Sequence, residues 1–411
     1  MHKIKKRYDA PIWVRLFGEL LTSTTGSMLA PFLVIYLHQK LDGSVLLPML
    51  IIGLQPLSEI FVTLLGGRLT DRFGRKSITL IALFLQASAM AGFIFADSIV
   101  LFVILYMMNG IGRGLYIPAQ RAQITDATEE GKRAEVFAVI NTAGAIGMAI
   151  GPLLGSIIFF YNPVIIFGME ASALLVYLLV VWLKMPETVP VVHREIHSSN
   201  NEIKKRYTFI QMITKHYVVL GLMVFTLPIS FFYSQLESNY RIYIQELFPN
   251  FIFILAILSS VKAIMDIILQ IGLVKWTERL SMQKVVVISY GSYVIAAIFY
   301  GISSNLTLLL VTQLILVVAE SIGLNHFLKF VAKLAPEHQR GLYFSIYGTH
   351  WDISRFVGPF LGGLIFLHFG GAALFYLAAI FLVIGGVCQF FFVKYIEDTK
   401  SRIDRIHKYS A

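Results

Sequence analysis

Long apolar runs, separated by short polar segments, fill most of the chain. Each run has about 20 residues, which is enough for a helix to cross a hydrocarbon core of about 30 Å. A helix is expected because a segment in lipid must satisfy its own backbone N–H and C=O groups. The pattern predicts an all-α integral membrane protein with twelve transmembrane helices, near 12–37, 46–67, 77–95, 99–119, 134–159, 164–183, 216–236, 250–273, 285–303, 306–328, 343–366 and 371–393.

The two halves of the chain repeat each other. A single shift of 207 residues places Gly151–Pro152 on Gly358–Pro359 and Arg133 on Arg340. We therefore predict two pseudo-symmetric six-helix bundles, and parallel repeats of this kind place a substrate site between the halves near mid-membrane. The predicted parts are a first bundle (1–183), a linker loop (184–215), a second bundle (216–393) and a tail (394–411).

Composition and charge narrow the class further. Hydrophobic residues make up 57% of the chain and charged residues only 14%, against roughly a quarter charged in soluble domains. This excludes a soluble enzyme, a disordered protein and, with Cys388 as the single cysteine, a disulfide scaffold. The net charge of +10 is spread over alternate loops, so we expect a lipid bilayer and not nucleic acid as the partner. The positive-inside rule predicts that both termini are cytoplasmic. We expect the protein in a bacterial-type plasma membrane.

The loop between predicted helices 2 and 3 reads GRLTDRFGRK from Gly67 to Lys76. Its glycines permit a tight turn and its arginines hold the loop at the cytoplasmic side. The string resembles the signature loop of the major facilitator superfamily, and the likeness in span number and halves covers the whole chain. It implies that Asp71 docks at the start of helix 11 and that Arg75 pairs with Asp126, which latches the outward-facing state. The switch residues it implies here are Gly67, Asp71, Arg72, Gly74, Arg75, Lys76 and Asp126.

Predicted helix 5 carries several glycines and a proline on one face, spaced three and four apart. Such a face either serves ordinary close packing in a membrane or takes part in a conformational switch. The pattern resembles the G-P-x-x-G signature of drug–proton antiporters, although Ser156 stands where that family usually has a further glycine. The residues concerned are Gly144, Gly147, Gly151, Pro152 and Gly155.

Ionisable side chains recur inside the apolar runs, where they are costly and therefore candidates for function. Glu19 and Glu59 are expected to have no basic neighbour one turn away on the same cavity face, since Arg15, one turn from Glu19, is placed at the membrane interface. Glu170 ranks last, as an acid that packs between helices. The predicted proton-coupling acids are Glu19, Glu59, Asp266, Glu320 and Asp352. The predicted substrate-binding residues are Gln55, Tyr106, Asn109, Arg113, Tyr233, Lys262, Trp351 and Arg355.

Two of these sets have a structural alternative, since Lys262 with Asp266 and Asp352 with Arg355 are spaced to form ion pairs along a helix. The antiporter likeness also expects an arginine four residues before Gly110. That position holds Tyr106, and Arg113 lies seven residues later, so the two positions remain alternatives.

The combined features predict a secondary transporter that exports small amphipathic or drug-like molecules in exchange for protons by alternating access. It is expected to work as a monomer. No cofactor, metal or enzymatic activity is expected, since the chain has neither a G-x-x-x-x-G-K-S/T nor an H-E-x-x-H motif. Three alternatives remain open. The chain could export one metabolite, lipid or metal-chelating natural product, import a nutrient with protons, or act as a receptor that transports nothing.

The latch makes a first testable prediction. Asp71→Asn should reduce transport while leaving substrate binding measurable, because the variant loses the contact that cycles the protein and not the pocket. Transport by the variant in vesicles, beside binding to the purified protein, checks this. Turnover equal to that of the wild type would reject the latch.

Overall fold

The structure is a computed structural model that describes residues 8–129, 132–187, 209–336 and 340–410. The rest of the predicted linker, 188–208, lies outside the described residues. The described chain is helical, with the following elements: α1 (Ala10–Leu29), α2 (Leu33–Lys40), α3 (Leu46–Phe73), α4 (Arg75–Phe93), α5 (Ile99–Asp126), α6 (Arg133–Tyr161), α7 (Pro163–Lys184), α8 (Phe209–Glu237), α9 (Asn239–Leu247), α10 (Phe251–Thr277), α11 (Met282–Ile302), α12 (Leu306–Leu334) and α13 (Arg340–Ser410).

The described helices account for the twelve predicted spans. The first span is a pair, α1 and α2, which are bent by 41° at a short break. The last two spans form one continuous element, α13, interrupted at Gly370, whose φ of 82° is left-handed and suits glycine. The short helix α9, which the apolar pattern does not reveal, connects α8 to α10. The all-α transmembrane architecture is confirmed.

Polar residues at the helix starts explain several boundaries. Ser98, Ser281 and Asn305 each accept a hydrogen bond from a backbone N–H one turn into α5, α11 and α12. Asn162 accepts from the N–H of Val164, and Pro163 follows it as the first residue of α7. These side chains satisfy N–H groups that a helix start otherwise leaves without a partner.

The described helices group into two compact units, residues 1–204 with 241–263 and residues 205–240 with 264–411. In the first unit α1 packs on α6 and α7, α3 packs on α5, and α4 packs on α5 and α7. In the second unit α8 packs on α13, and α11 packs on α12 and α13. The first unit also contains α9 and the first half of α10, which the sequence division places in the second bundle.

The internal repeat persists in the packing of the helices. A Cβ added to Gly151 would collide with Oγ of Ser27, and one added to Gly358 would collide with Oγ of Ser234. Both members of the first contact map onto the second by the same shift of 207 residues. The two units therefore share not only a motif but also the contact that the motif makes with its partner helix.

A close backbone contact between α1 and α6 gives the second prediction. A Cβ on Gly155 would collide with the carbonyl oxygen of Met28 and would lie 2.8 Å from its Cα, both backbone atoms. Gly155→Ala should therefore force the helices apart and destabilise the protein by about 1–3 kcal/mol, measured by thermal unfolding in detergent.

Gly272→Ala is the matched control, because no atom lies within 4 Å of a Cβ added to Gly272. It should leave the melting temperature unchanged or raise it slightly, since alanine favours a helix. Equal melting temperatures for the two variants would contradict the proposed packing constraint.

Candidate functional site

A polar pocket of about 450 Å³ lies within the first unit, between α1, α4, α5, α6 and α7. Its charged lining residues are Glu19, Arg113 and Glu170, one from each of α1, α5 and α7. Hydroxyl and amide groups of Thr22, Ser23, Tyr116 and Gln86 complete the polar wall. The pocket therefore brings ionisable groups from three membrane-spanning helices to one place.

The first ion pair at this pocket joins Arg15 and Glu19, one turn apart on α1. Arg15 is only 4% exposed. Its guanidinium donates to the hydroxyls of Tyr116 and Tyr177, the latter at 3.2 Å. Arg15 is therefore a basic neighbour of Glu19 inside the helix bundle, a contact that the sequence expectation left out. The tyrosine hydroxyls and the Glu19 carboxylate are hydrogen-bond partners for the terminal nitrogens of this buried guanidinium.

The second ion pair joins Arg113 on α5 to Glu59 on α3, with 3.4 Å between Nε and Oε2. The side chain of Arg113 is 49% exposed, against 5% for that of Arg15. Glu59 thus has a basic partner, although no basic residue lies one turn away on its own helix. The partner comes from another helix, so helical periodicity along α3 could not reveal it. Because it is more solvated, this pair is weaker and easier to open than the first.

Glu170 lies in the same pocket as Glu19, although sequence reasoning ranked it last. Thr25 is its hydrogen-bonding neighbour, and Arg113 acts on it electrostatically. Gly26 leaves room for it, since a Cβ there would lie 3.6 Å from Oε1 of Glu170. Within the described chain, the buried Oε2 of Glu170 has no hydrogen-bond partner. No polar stripe on α7 signals this placement, which depends on the neighbouring helices.

The glycine face of α6 packs against α1 beside the pocket. A Cβ on Gly144 would lie 2.9 Å from Oε1 of Glu19, and one on Gly147 would lie 2.8 Å from the backbone N of Thr24. Gly151 and Gly155 continue this contact toward the end of α1, with the buried Pro152 between them. The face therefore fixes how close the Glu19 carboxylate comes to α6.

The signature loop lies at one end of the first unit. Arg75 pairs with Asp126 at the end of α5 and donates to the carbonyl oxygen of Ala122 at 3.0 Å. This is the ion pair that the family resemblance implies. Lys76 donates from Nζ to the carbonyl oxygen of Trp182 at 2.8 Å, near the end of α7. The side chains at Gly67, Asp71 and Arg72 lie outside the described residues, so no contact is assigned to them.

Glu187, just past α7, is a residue that sequence reasoning missed. Its Oε1 accepts from the backbone N of Arg75 at 2.9 Å, and its Oε2 accepts from that of Lys76 at 3.2 Å. Gly74 permits this contact because its φ is 93° and because a Cβ there would lie 2.6 Å from Oε2 of Glu187. The carboxylate caps the start of α4, where a negative charge is favourable.

The second unit holds an aromatic cluster with an acid. Tyr233 on α8 donates its hydroxyl to Oε2 of Glu320 on α12 at 2.8 Å. Its ring lies 5.4 Å from that of Trp351 and 5.9 Å from that of Tyr293, centroid to centroid. Three of the predicted residues, Tyr233, Glu320 and Trp351, therefore lie together on three different helices.

Arg355 on α13 lies beside this aromatic cluster. It binds both carboxylate oxygens of Glu237 on α8, at 3.1 and 3.2 Å, and stacks over Trp351 at 5.6 Å. Arg355 thus has a carboxylate partner from another helix, which its spacing from Asp352 along α13 does not reveal. Glu237 ends α8, and nothing in its local sequence pattern marks it as this partner.

The remaining predicted residues are placed differently. Tyr106 is 8% exposed and packs edge-on against Phe93 in the aromatic core, and its role in substrate binding stays a prediction. The others are half-buried on their helices: Gln55 on α3, Asn109 on α5, Lys262 and Asp266 on α10, and Asp352 on α13.

Apolar helices that enclose ion pairs and a polar pocket define the chain as a multi-span membrane protein of the transporter class. The model of the Major Facilitator Superfamily matches residues 15–261 and 252–408. The chain belongs to this family. It is 48% identical over 396 residues to the uncharacterized MFS-type transporter YhjO of Bacillus subtilis strain 168, covering 96% of each chain.

More distant similarities extend to transporters whose names state an activity. The chain is 26% identical to a Na(+), Li(+), K(+)/H(+) antiporter of Planococcus maritimus, over 86% of this chain and 89% of that protein. It is also 26% identical to the multidrug resistance protein MdtG of Enterobacter lignolyticus, over 92% of each. The nucleoside transporter NupG has the same fold, with a TM-score of 0.76 at 12% identity, over 93% of this chain and 100% of that one.

The buried pair yields the third prediction. Arg15→Met should destabilise the protein by about 3–5 kcal/mol, because it leaves the carboxylate of Glu19 without its buried partner. The double variant Arg15→Met with Glu19→Gln should recover most of this loss, and thermal unfolding of the three proteins in detergent checks both statements. Additive losses in the double variant would contradict the pairing.

Proposed function

We propose that this membrane transporter exports small amphipathic or drug-like molecules in exchange for protons. In this proposal it lies in the cell membrane with both termini cytoplasmic and works by the alternating access that its family implies. The single observation that carries the proposal is the pocket of the first unit, where carboxylates and arginines from different spans meet inside apolar helices. Such groups are costly in a membrane unless they serve binding or proton movement.

The pocket offers two opposing charges for which a substrate can compete. Arg113 is half exposed and its pair with Glu59 is 3.4 Å long. A cationic substrate that binds Glu59 would displace the arginine, and a change in the charge of a neighbouring pocket carboxylate would change how readily the arginine leaves. Substrate and proton thus exclude each other through the shared arginine, which is what antiport requires. The membrane potential would add about 2.3 kcal/mol per charge per 100 mV.

The aromatic cluster of the second unit supports an amphipathic cation as the substrate class. Tyr233, Tyr293 and Trp351 present ring faces and edges around the Glu320 carboxylate. Aromatic faces attract cations and bury apolar surface, and a carboxylate adds a direct charge partner. The similarity to MdtG, a multidrug resistance protein, agrees with an amphipathic cation as substrate.

The contacts at the signature loop and at α6 support a role in switching between states. The Arg75–Asp126 pair and the Glu187 cap tie the ends of α4, α5 and α7 together at one end of the first unit. The α1–α6 contact has no side chain between the two backbones at Gly155. In the proposal these rigid contacts let the unit move as one body.

A second candidate function is the exchange of monovalent inorganic cations for protons. The first unit holds three carboxylates at or beside the pocket, those of Glu19, Glu59 and Glu170, against two arginines. This leaves one negative charge over when all are ionised, which suits a small cation as well as an organic one. The similarity to the Na(+), Li(+), K(+)/H(+) antiporter of Planococcus maritimus agrees with exchange of inorganic cations.

The fourth prediction tests both candidates in inverted membrane vesicles that carry a pH-sensitive dye. Ethidium should dissipate the proton gradient if the substrate is an organic cation, and Na⁺, Li⁺ or K⁺ should do so in the second case. Glu19→Gln and Glu59→Gln, made separately, should abolish substrate-induced proton release in at least one variant.

Asp42→Asn is the matched control, because Asp42 is exposed in the turn after α2. Its proton release should equal that of the wild type. Proton release that persists in both glutamate variants would reject the assignment of coupling to Glu19 and Glu59. A wild type that responds to neither ethidium nor the alkali cations would reject the proposed function.

A further inference from the structure

The three carboxylates of the first unit are not equivalent. Glu19 is held by the buried guanidinium of Arg15 and by Oγ of Ser23 at 3.1 Å. Glu59 is held by Arg113. Glu170 has a threonine neighbour, and the described chain contains no ion pair to it at salt-bridge distance. Glu170, which the sequence analysis ranks last, is thus the acid whose negative charge is least compensated.

From this difference we infer that Glu170 is the residue that gains and loses the exchanged proton, and that Arg113 moves between Glu59 and Glu170 as it does so. The inference rests on the proposed function and deepens it, because it names the proton site and the side chain that links it to the substrate site. The exchange requires movement of the Arg113 side chain and no change in the helices.

The surroundings of Glu170 favour a proton there. Oε2 is buried and has no hydrogen-bond partner in the described chain. When the carboxylate is ionised, its Oε2 loses hydration without gaining a donor, whereas a protonated carboxyl carries no charge to solvate. The charged and titratable groups on the elements packed around it are Arg15 and Glu19 from α1, Arg113 and Tyr116 from α5, and Tyr177 from α7 itself. The pocket wall from α4 adds Gln86, and that from α6 adds Met148, neither of which titrates.

Arg113 is suited to change partners. Its side chain is half exposed, its contact with Glu59 is long, and it already acts on Glu170 electrostatically. Arginine has a long side chain with several donors, so a rotamer change can redirect it without backbone movement. Arg15 differs in each respect, because two tyrosine hydroxyls and Glu19 hold it in a buried position.

The exchange of partners couples the two ions. When water on one side delivers a proton to Glu170, the carboxyl becomes neutral and Arg113 stays with Glu59, which closes that acid to a cation. When Glu170 returns the proton to water on the other side, its carboxylate draws Arg113 away and Glu59 becomes available to a cationic substrate. One proton and one cation thus use the unit at different times, so charge is conserved and the two loads never compete directly for one atom.

Glu170→Gln, which imitates the protonated acid, tests the inference. Ethidium-driven proton release by the purified protein in proteoliposomes should fall by about a hundredfold. Ethidium binding should also lose its dependence on pH, because Arg113 no longer has a second carboxylate. Glu170→Asp should keep the coupling with a displaced pH profile, and this variant decides the matter if the glutamine variant does not fold. Wild-type release and pH dependence in Glu170→Gln would overturn the inference.

Glu246→Gln is the control, since Glu246 is an exposed glutamate on the short helix α9, and it should behave as the wild type does. A second measurement is independent of transport. The infrared difference spectrum, wild type minus Glu170→Gln, should show a carboxylic acid band that titrates with pH. If ethidium and the alkali cations release no protons from the wild type, the proposed function fails, and this difference band alone decides whether Glu170 is the proton site. A difference spectrum without such a band overturns the assignment.

Discussion

The backbone contact between α1 and α6 is the constraint on which the first unit depends. At Gly155 the two helices meet with no side chain between them, and any Cβ would collide with backbone atoms of Met28. The same face at Gly144 sets the distance to the Glu19 carboxylate. In lipid, helices associate through such close packing because there is little hydrophobic gain in burying one apolar helix against another. The contact therefore holds the helices together and positions their charged residues.

Compensation of charge is the second constraint. Arg15 is buried among Glu19, Tyr116 and Tyr177, and all three accept hydrogen bonds from the terminal nitrogens of its guanidinium. Arg113 and Glu59 are more solvated and farther apart. A membrane protein needs fixed pairs for its structure and adjustable ones for its cycle, and burial separates the two kinds here.

The repeat preserved packing while its chemistry diverged. The Gly151–Ser27 contact recurs as Gly358–Ser234, yet Gly147 has become Ser354, whose hydroxyl donates to Ser230 at 3.0 Å. Gly26, which leaves room for Glu170, corresponds by the shift of 207 to Tyr233, which binds Glu320. The first unit thus encloses mainly charge, and the second mainly aromatic surface with one acid. Two copies of one scaffold supply different chemistry because the glycine–serine contact is kept while other positions changed, including Gly147 on the contact face.

The sequence by itself determined the membrane-spanning helices and the two-fold repeat, because apolar length and a fixed shift can be read along the chain. The resemblance of the loop from Gly67 to Lys76 to a known signature implied the family and the Arg75–Asp126 pair. The sequence also named most of the ionisable residues. Only the tertiary structure decided their partners: Arg15 turned inward to two tyrosines, Glu59 met Arg113 from another helix, and Tyr106 entered the aromatic core. The contacts of Glu187 with the start of α4 and of Glu237 with Arg355 also depend on the tertiary structure. The physical reason is that helical periodicity fixes which face a side chain occupies, whereas the helix it faces depends on packing between segments far apart in the chain.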